Sequence, residues 1–380
     1  MTTDPNFLEE GIDSRASTVS TVSQGYARLV WRRFRRSVPG MIGFVMVASL
    51  LIIAIFAPFF APNDPKAPTV GFIPPDKVSW YVPGDGPDAG WRLLPVAFPI
   101  VEGAELDPIT YQPLNGPDFA NPRPISFFVK GWEYTFLGFP MNRHFIGVAD
   151  GSPLHLLGTD KLGRDILSRG IVGSRISLAL ALSSIAFITI IGTLMGITSG
   201  YVGGRFDMWF QRFVEIILAF PQLPLYLALA SLIPVTAPTG LFLTFVVIVI
   251  VGLGWAQLSR EVRSKTLALR QVDYVRAAMA VGASDGRIIT RHILPNVMSH
   301  VIVSITLGIP SIVLLESFLG YLGFAVKPPL ISWGLMLQDA GTFASIGTYP
   351  WILSPVGFVL LAVFAFNALG DGLRDAIDPY

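Results

Sequence analysis

The sequence predicts an all-α, multi-pass membrane protein with six transmembrane helices and a proline- and aromatic-rich insert after the first. Three observations carry this. Of 380 residues, 52% are hydrophobic and only 14% charged, against about 25% charged in soluble domains. The mean hydropathy is +0.58. Long stretches hold no Asp, Glu, Lys or Arg: Ser37–Asn63, Ile176–Gly204, Ile216–Ser259, His292–Leu315 and Ala340–Gly370. A hydrocarbon core needs about 20 apolar helical residues to cross it, and the 44 residues of Ile216–Ser259 suffice for two helices. Runs such as Leu50–Ile55 do not alternate apolar with polar, as a transmembrane β-barrel would require.

The elements follow in order. Residues 1–36 form a polar N-terminal tail, with a Ser/Thr-rich stretch to residue 27 expected to be disordered. Residues 37–61 form the first helix. Its apolar core is too long for a cleaved signal peptide, so it is expected to be a retained anchor. Residues 62–156 form the insert, and 157–174 lead into the second helix. Residues 173–371 form a five-helix membrane domain containing the loop 260–296, and 372–380 form a tail. Helices are expected near 39–59, 176–198, 210–232, 241–259, 298–320 and 351–370, with a turn at Pro234–Thr239.

Orientation follows from basic residues near span ends. Arg28, Arg32, Arg33, Arg35 and Arg36 precede the first helix, which places both termini in the cytoplasm and the insert outside. Loop 260–296 carries seven Lys/Arg against three acids and is then cytoplasmic, while Lys327 is the only basic residue of the outside loop 321–350. The expected location is a bacterial inner membrane.

The insert holds 16 of the 30 prolines, 14 aromatics including Trp80, Trp91 and Trp132, and ten acids against six bases. So many aromatics argue against a disordered linker. A small, irregular, proline-stapled element packed on the helix ends is expected, either as a docking surface for an extracytoplasmic partner or as a structural insert.

Several chemistries are excluded or unsupported. There are no cysteines, hence no disulfides or thiolate chemistry. The net charge of +1 gives no case for nucleic acid. The histidines (His144, His155, His292, His300) do not pair at zinc spacing. No Gly-Lys dipeptide exists, so a Walker A loop is absent and any ATP is bound by another chain. Glu215 and Glu316 are the acids at or beside spans, and intramembrane acids are candidates for substrate or ion contact. Pro221 and Pro224 would bend the third span; with Gln222, Pro221 joins the weak candidates for a solute pathway.

Residues 272–296 parse as two short helices around a glycine. Val272, Val275 and Met279 share one face of the first, and Ala277 and Ala278 keep one side slim. Gly282 falls where a helix C-terminus favours positive φ. Ser284 or Asp285 can cap the second helix, and Pro295 is expected to stop or kink it before the fifth span. Such an elbow has a shape suited to a partner's groove.

This stretch resembles the EAA loop of ABC-importer permeases, E-A-A-x3-G-x9-I-x-L-P. Ala277, Ala278, Gly282, Leu294 and Pro295 match; Arg276 stands in place of Glu and His292 in place of Ile. Leu157–Arg169, with its Gly-Thr-Asp-Lys-Leu-Gly-Arg-Asp run, is similar to the dipeptide/oligopeptide/nickel-type permeases. So are Gly173–Leu178, Gly200–Gly204, Ala219–Pro221 and Phe366–Pro379. Read without the family, Thr159 or Asp160 would be a helix N-cap and Gly200–Gly204 a tight turn.

The resemblance covers the first helix and 156–380. It implies the C-type permease subunit of an importer with a type I ABC importer permease fold. The implied partners are a homologous B-type permease, two ATPase subunits, an extracytoplasmic solute-binding protein and membrane lipid. ATP and Mg would be used by the ATPases; this chain would bind no cofactor or metal and catalyse nothing. The ATPase-coupling residues would be Tyr274, Arg276, Ala277, Ala278, Gly282, Asp285, Leu294 and Pro295. Di- or oligopeptides are the expected solutes, with nickel chelates or oligosaccharides as alternatives. An ion-driven carrier would show internal repeats and buried ionisable residues, and a membrane-embedded enzyme would show clustered catalytic polar residues in the spans.

Overall fold

The computed structural model describes residues 26–82, 90–101, 115–234, 237–324, 326–341 and 343–377. The expected disordered tail therefore lies outside the described residues up to residue 25, as do residues 235–236 of the expected turn and 378–380 of the C-terminal tail.

Helix α1 (Tyr26–Phe34) carries Arg28, Arg32 and Arg33, and Arg35 and Arg36 follow it in the turn that leads into α2 (Val38–Ile55), the first span. Ser37 caps α2 by accepting from the Gly40 N–H, a bond worth about 1 kcal/mol. The short helix α3 (Ala57–Phe60) turns the chain into the insert.

The insert is a β-structure, which corrects the expectation of an irregular element. Strands β1 (Lys77–Val82), β2 (Gly90–Phe98), β5 (Arg123–Phe136) and β6 (Phe139–Val148) form an antiparallel sheet in the order β1-β2-β5-β6. Between them β3 (Ile100–Val101) pairs with β4 (Gly116–Pro117). Pro95, within β2, falls in the irregular stretch where the pairing shifts from Ser79↔Val96 to Tyr81↔Trp91, so it breaks no regular ladder. Pro124 is the second residue of β5 and Pro140 the second of β6.

Helices α4 (Ile166–Val202), α5 (Gly204–Ala219), α6 (Gln222–Ser231), α7 (Thr239–Arg270), α8 (Asp273–Ala280), α9 (Asp285–Ile288), α10 (Leu294–Tyr321), α11 (Trp333–Asp339), α12 (Phe343–Thr348) and α13 (Ser354–Ile377) complete the chain. A π-turn, Ile289–Ile293, joins α9 to α10. Among the described residues five helices are long and apolar enough to cross a membrane, and the pair α5/α6, bent by 81°, makes a sixth if it is one broken span. Five of the six expected spans are thus single long helices, and in place of the expected third the chain forms the bent pair α5/α6. Phe220, preceding Pro221, is extended (φ −75°, ψ 137°), because proline's Cδ excludes the helical region for its predecessor.

Two other boundaries differ. The second span begins at Ile166, ten residues before the expected start. Its N-cap is Asp165, which accepts from the Ser168 N–H, rather than Thr159 or Asp160. Those two staple the lead-in instead. Thr159 Oγ1 donates to the Val70 carbonyl and accepts from the Ile73 N–H; Asp160 pairs with Arg164 at 2.8 Å and Arg169 at 3.4 Å. The sixth helix continues to Ile377, so the tail expected from residue 372 is helical.

Burial in lipid does not itself drive helices together, so close backbone approach must do so. Gly192, Gly196 and Gly200 form a stripe on α4 facing α7: a Cβ on Gly196 would lie 2.6 Å from the Ser259 oxygen, and one on Gly200 2.9 Å from that of Arg263. The α2–α13 contact works alike, with a Cβ on Gly43 only 2.3 Å from the Leu369 nitrogen. Arg175 on α4 donates from Nε and Nη2 to the Ala54 and Ile55 carbonyls, satisfying the free C-terminal end of α2.

Candidate functional site

Two features stand out on the bundle: an exposed corner, and a cavity between its helices.

The corner is the elbow α8–Gly282–α9. Gly282 has φ +83°. Its N–H donates to the Met279 carbonyl and the Ala283 N–H to that of Ala278, a Schellman end that closes α8. Val275, Ile288 and Ile293 are fully buried and anchor the elbow, while Val281 at its tip is 84% exposed. Tyr274, Arg276, Ala277, Gly282, Asp285 and Pro295 are also exposed; Ala278 and Leu294 are half-buried. Met279 packs inward, but Val272 does not follow the expected face and is exposed.

Pro295 does not stop the helix. The π-turn just before it widens the backbone where a proline ring would clash with the carbonyl four residues back, so Asp285–Tyr321 is one continuous rod. Ser284 sits at the N-cap position of α9 without a side-chain bond. Asp285 instead accepts from the Tyr201 hydroxyl at 2.7 Å, tying the elbow to the end of α4. The Tyr274 hydroxyl accepts from Asn296 Nδ2 at 3.2 Å. Gly282-Ala-Ser-Asp-Gly286 spells G-x-S-x-G, but it lies between two helices, not on the strand-to-helix turn that exposes a nucleophile.

Beside the elbow, Arg263 on α7 grips Asp207 on α5 through Nε and Nη2, and Ser199 donates to the same carboxylate. These groups close the break at Gly203 and Gly204; the turn is shorter than the one expected over 200–204, because residues 200–202 belong to α4. Replacing Asp207 with alanine is expected to lower stability by roughly 1–3 kcal/mol, between the values for exposed and buried pairs. A drop in melting temperature of the purified protein checks this, and an unchanged temperature would show that the pair holds nothing together.

The cavity, about 410 Å³, is lined by α4, α6, α7 and α10, with Gln222, Tyr226, Gly254 and Ser311 among its walls. The 81° bend at Pro221 brings Gln222 to it. The lining faces continue toward the elbow at helical spacing: Ile250, Gly254, Gln257 and Glu261 on α7, and Ser311, Ser304 and His300 on α10. Glu261 accepts from Gln257 at 3.0 Å and lies 3.3 Å from His300 Nε2. The cavity wall thus passes into a polar stripe.

Of the acids singled out from sequence, neither joins the cavity. Glu215 pairs with Arg212 at 2.8 Å on an exposed face of α5. Glu316 is fully buried on the other side of α10, where Ser177 of α4 donates to its Oε2 at 3.0 Å and the Trp333 N–H donates to Ser177. Glu261 went unnoticed because it marks the end of a charge-free stretch and so reads as loop. The i, i+4 pairs Gln257/Glu261 and His300/Ser304 were the available signal. Among the described residues no cluster of His, Asp or Glu could hold a metal ion.

A bundle of long apolar helices, a cavity between four of them and an exposed elbow are the features to be compared with known membrane proteins. Residues 192–380 match the family model described as "Binding-protein-dependent transport system inner membrane component", and residues 25–75 match "N-terminal TM domain of oligopeptide transport permease C". The "Oligopeptide transport system permease protein OppC" of Bacillus subtilis is 40% identical over 226 residues, 59% of this chain and 72% of the relative. That of Haemophilus influenzae is 43% identical over 227 residues, 59% and 70% of the two chains. The "Dipeptide transport system permease protein DppC" of Alkalihalophilus pseudofirmus is 39% identical over 226 residues, 59% and 72%. A solved methionine ABC transporter, MetNI, aligns at 17% identity with a TM-score of 0.45, over 56% of this chain and 98% of that one. The chain belongs to the binding-protein-dependent transport system inner membrane component family, and it is a multi-pass inner-membrane permease.

Proposed function

We propose that this chain forms half of the translocation pathway of an ATP-driven importer for di- and oligopeptides. The observation that carries the reading is the elbow. Three buried anchors hold an otherwise exposed corner whose tip presents Val281 and the slim face of Ala277. A corner that is rigid within and apolar at its tip fits a groove on an ATPase. One chain supplies one elbow, so two ATPases would need a second permease with its own. A solute-binding protein would deliver the substrate from the side of the insert.

The peptide reading is supported by the relatives, which carry oligopeptide and dipeptide transport in their names. The cavity supports it too. Its walls are apolar with neutral polar groups such as Gln222 and Tyr226, a lining that tolerates varied side chains. In this reading Gln222 and Pro221 shape the pathway and Glu261 with His300 lines its cytoplasmic half. Glu215 and Glu316 have no part in it.

Uptake of labelled di- and tripeptides by cells lacking this chain, with and without it restored, tests the function. Uptake should return with the chain and stop when ATP is depleted while the ion gradient is kept. Uptake that follows the gradient instead would overturn the reading.

The sidedness has its own test. A reporter fused after Asp150 should be active only outside the cytoplasm and one after Asp285 only inside. The reverse pattern would invert the topology.

A further inference from the structure

We infer that the tip of the β5–β6 hairpin is seated in lipid at the membrane interface, beside the end of the first span, so that the insert rests on the bilayer. The inference needs only that α2 crosses the membrane.

The tip is built against the usual rules for a turn in water. Phe136 pairs with Phe139 across the hairpin, and the connection is Leu137-Gly138 with φ +50° and +87°. Two-residue turns with both φ positive ordinarily take Asn-Gly or Asp-Gly, because a bulky residue is disfavoured at positive φ. Here the strained position holds a leucine that is 84% exposed, followed by Phe139 at 71%. Thr135 to Met141 carries no charge. In water such a tip has neither conformational nor solvation reason to exist; at an apolar boundary it has both partners and position.

Ring and hydrogen-bond contacts place it at that boundary. Phe145 and Phe128, at the far end of the hairpin from the tip, meet Phe59 and Phe60. One step nearer the tip, His144 lies 2.9 Å from the Pro58 oxygen through Nδ1 and 2.9 Å from that of Trp132 through Nε2. Nearest the tip, Phe136 packs on Phe56, ring centroids 5.1 Å apart. The order 60, 58, 56 runs back along the chain toward α2, so the hairpin points down at the membrane. Phe56 directly follows α2, whose last turns present exposed Ile52 and Ile55. Leu137 and Phe139 therefore continue the apolar surface of the span itself. Aromatic side chains at this level are the usual anchors of membrane proteins at the interface.

The absence of native cysteine makes the test direct. Leu137→Cys, Phe139→Cys and, as a control higher on the same hairpin, Lys130→Cys are each labelled with a nitroxide in the full chain, purified with whatever subunits accompany it and reconstituted in vesicles of phosphatidylethanolamine and phosphatidylglycerol. Collision rates with oxygen, which concentrates in lipid, and with a neutral nickel chelate, which stays in water, are compared. At 137 and 139 oxygen collisions should exceed nickel collisions, with the ratio inverted at 130. Nickel access at 137 and 139 equal to that at 130 would mean that the tip stands in water. Low access to both reagents there would mean that another protein covers it. Either result overturns the inference.

Discussion

Gly196→Leu is expected to abolish recovery of folded protein. The Cβ alone would lie 2.6 Å from the Ser259 carbonyl oxygen and 2.7 Å from Val262 Cβ. The first of these is backbone in the middle of α7 and cannot turn aside. The long spans α4 and α7 would have to separate, which also undoes the close approaches at Gly192 and Gly200. In lipid nothing compensates, because separated helices are solvated by acyl chains as well as by each other. Overpacking costs about 1–3 kcal/mol per site, and here one insertion disturbs three contacts. Size-exclusion profiles of detergent extracts check it: Gly196→Leu should lose the monodisperse peak and Gly196→Ala should reduce it. Gly252→Ala, on α7 with open space around its Cβ, should leave it intact. A normal peak for Gly196→Leu would show that the α4–α7 contact does not hold the bundle.

Gly282→Asp is expected to stop uptake while leaving the protein in the membrane. Within this chain a Cβ at Gly282 meets nothing within 4 Å, but φ is +83°, so a side chain there costs about 1 kcal/mol. That is small beside the stability of the bundle. The larger effect lies in the proposed groove, where an unpaired charge costs several kcal/mol if buried. Gly286, helical within α9 with open space around its Cβ, should tolerate aspartate better. Co-purification of ATPase with the chain and peptide-stimulated ATP hydrolysis are the readouts. Normal values of both in the Gly282→Asp protein would remove the elbow from the coupling mechanism.

The spans were legible because charge is excluded from hydrocarbon, and a charge-free run reports that directly. What charge does not report is where a helix ends. Arg169 and Arg175 lie inside α4, since a helix can continue past the apolar layer and carry its charges with it. The same blind spot hid Glu261, which closes a charge-free run yet sits within α7. The break at Phe220 could be suspected from Pro221 but not its angle, which depends on what α6 packs against. In the insert, prolines and aromatics masked the period-two pattern of the strands. The elbow was the most legible part, because a positive φ at Gly282 is a local demand that sequence states outright. Its continuity with α10 was not, as it rests on a π-turn that leaves no compositional mark.

That continuity has a mechanical consequence. From Asp285 to Tyr321 the chain is one rod of 37 residues, about 55 Å long at about 1.5 Å per residue. The corner joins the rod directly through α9, so a rotation at its base is passed along the helix, less what bending at the π-turn and at Pro310 absorbs. A tilt of about 5° would swing the distal end by about 5 Å over that span, comparable to the spacing of neighbouring strands in a sheet. Near that end Ser177 of α4 donates to Glu316 and accepts from the Trp333 N–H, so α10, α4 and α11 are tied together there and would move together. Under the proposed function the rod would act as a lever, with a small stroke at the elbow moving the far end of the span.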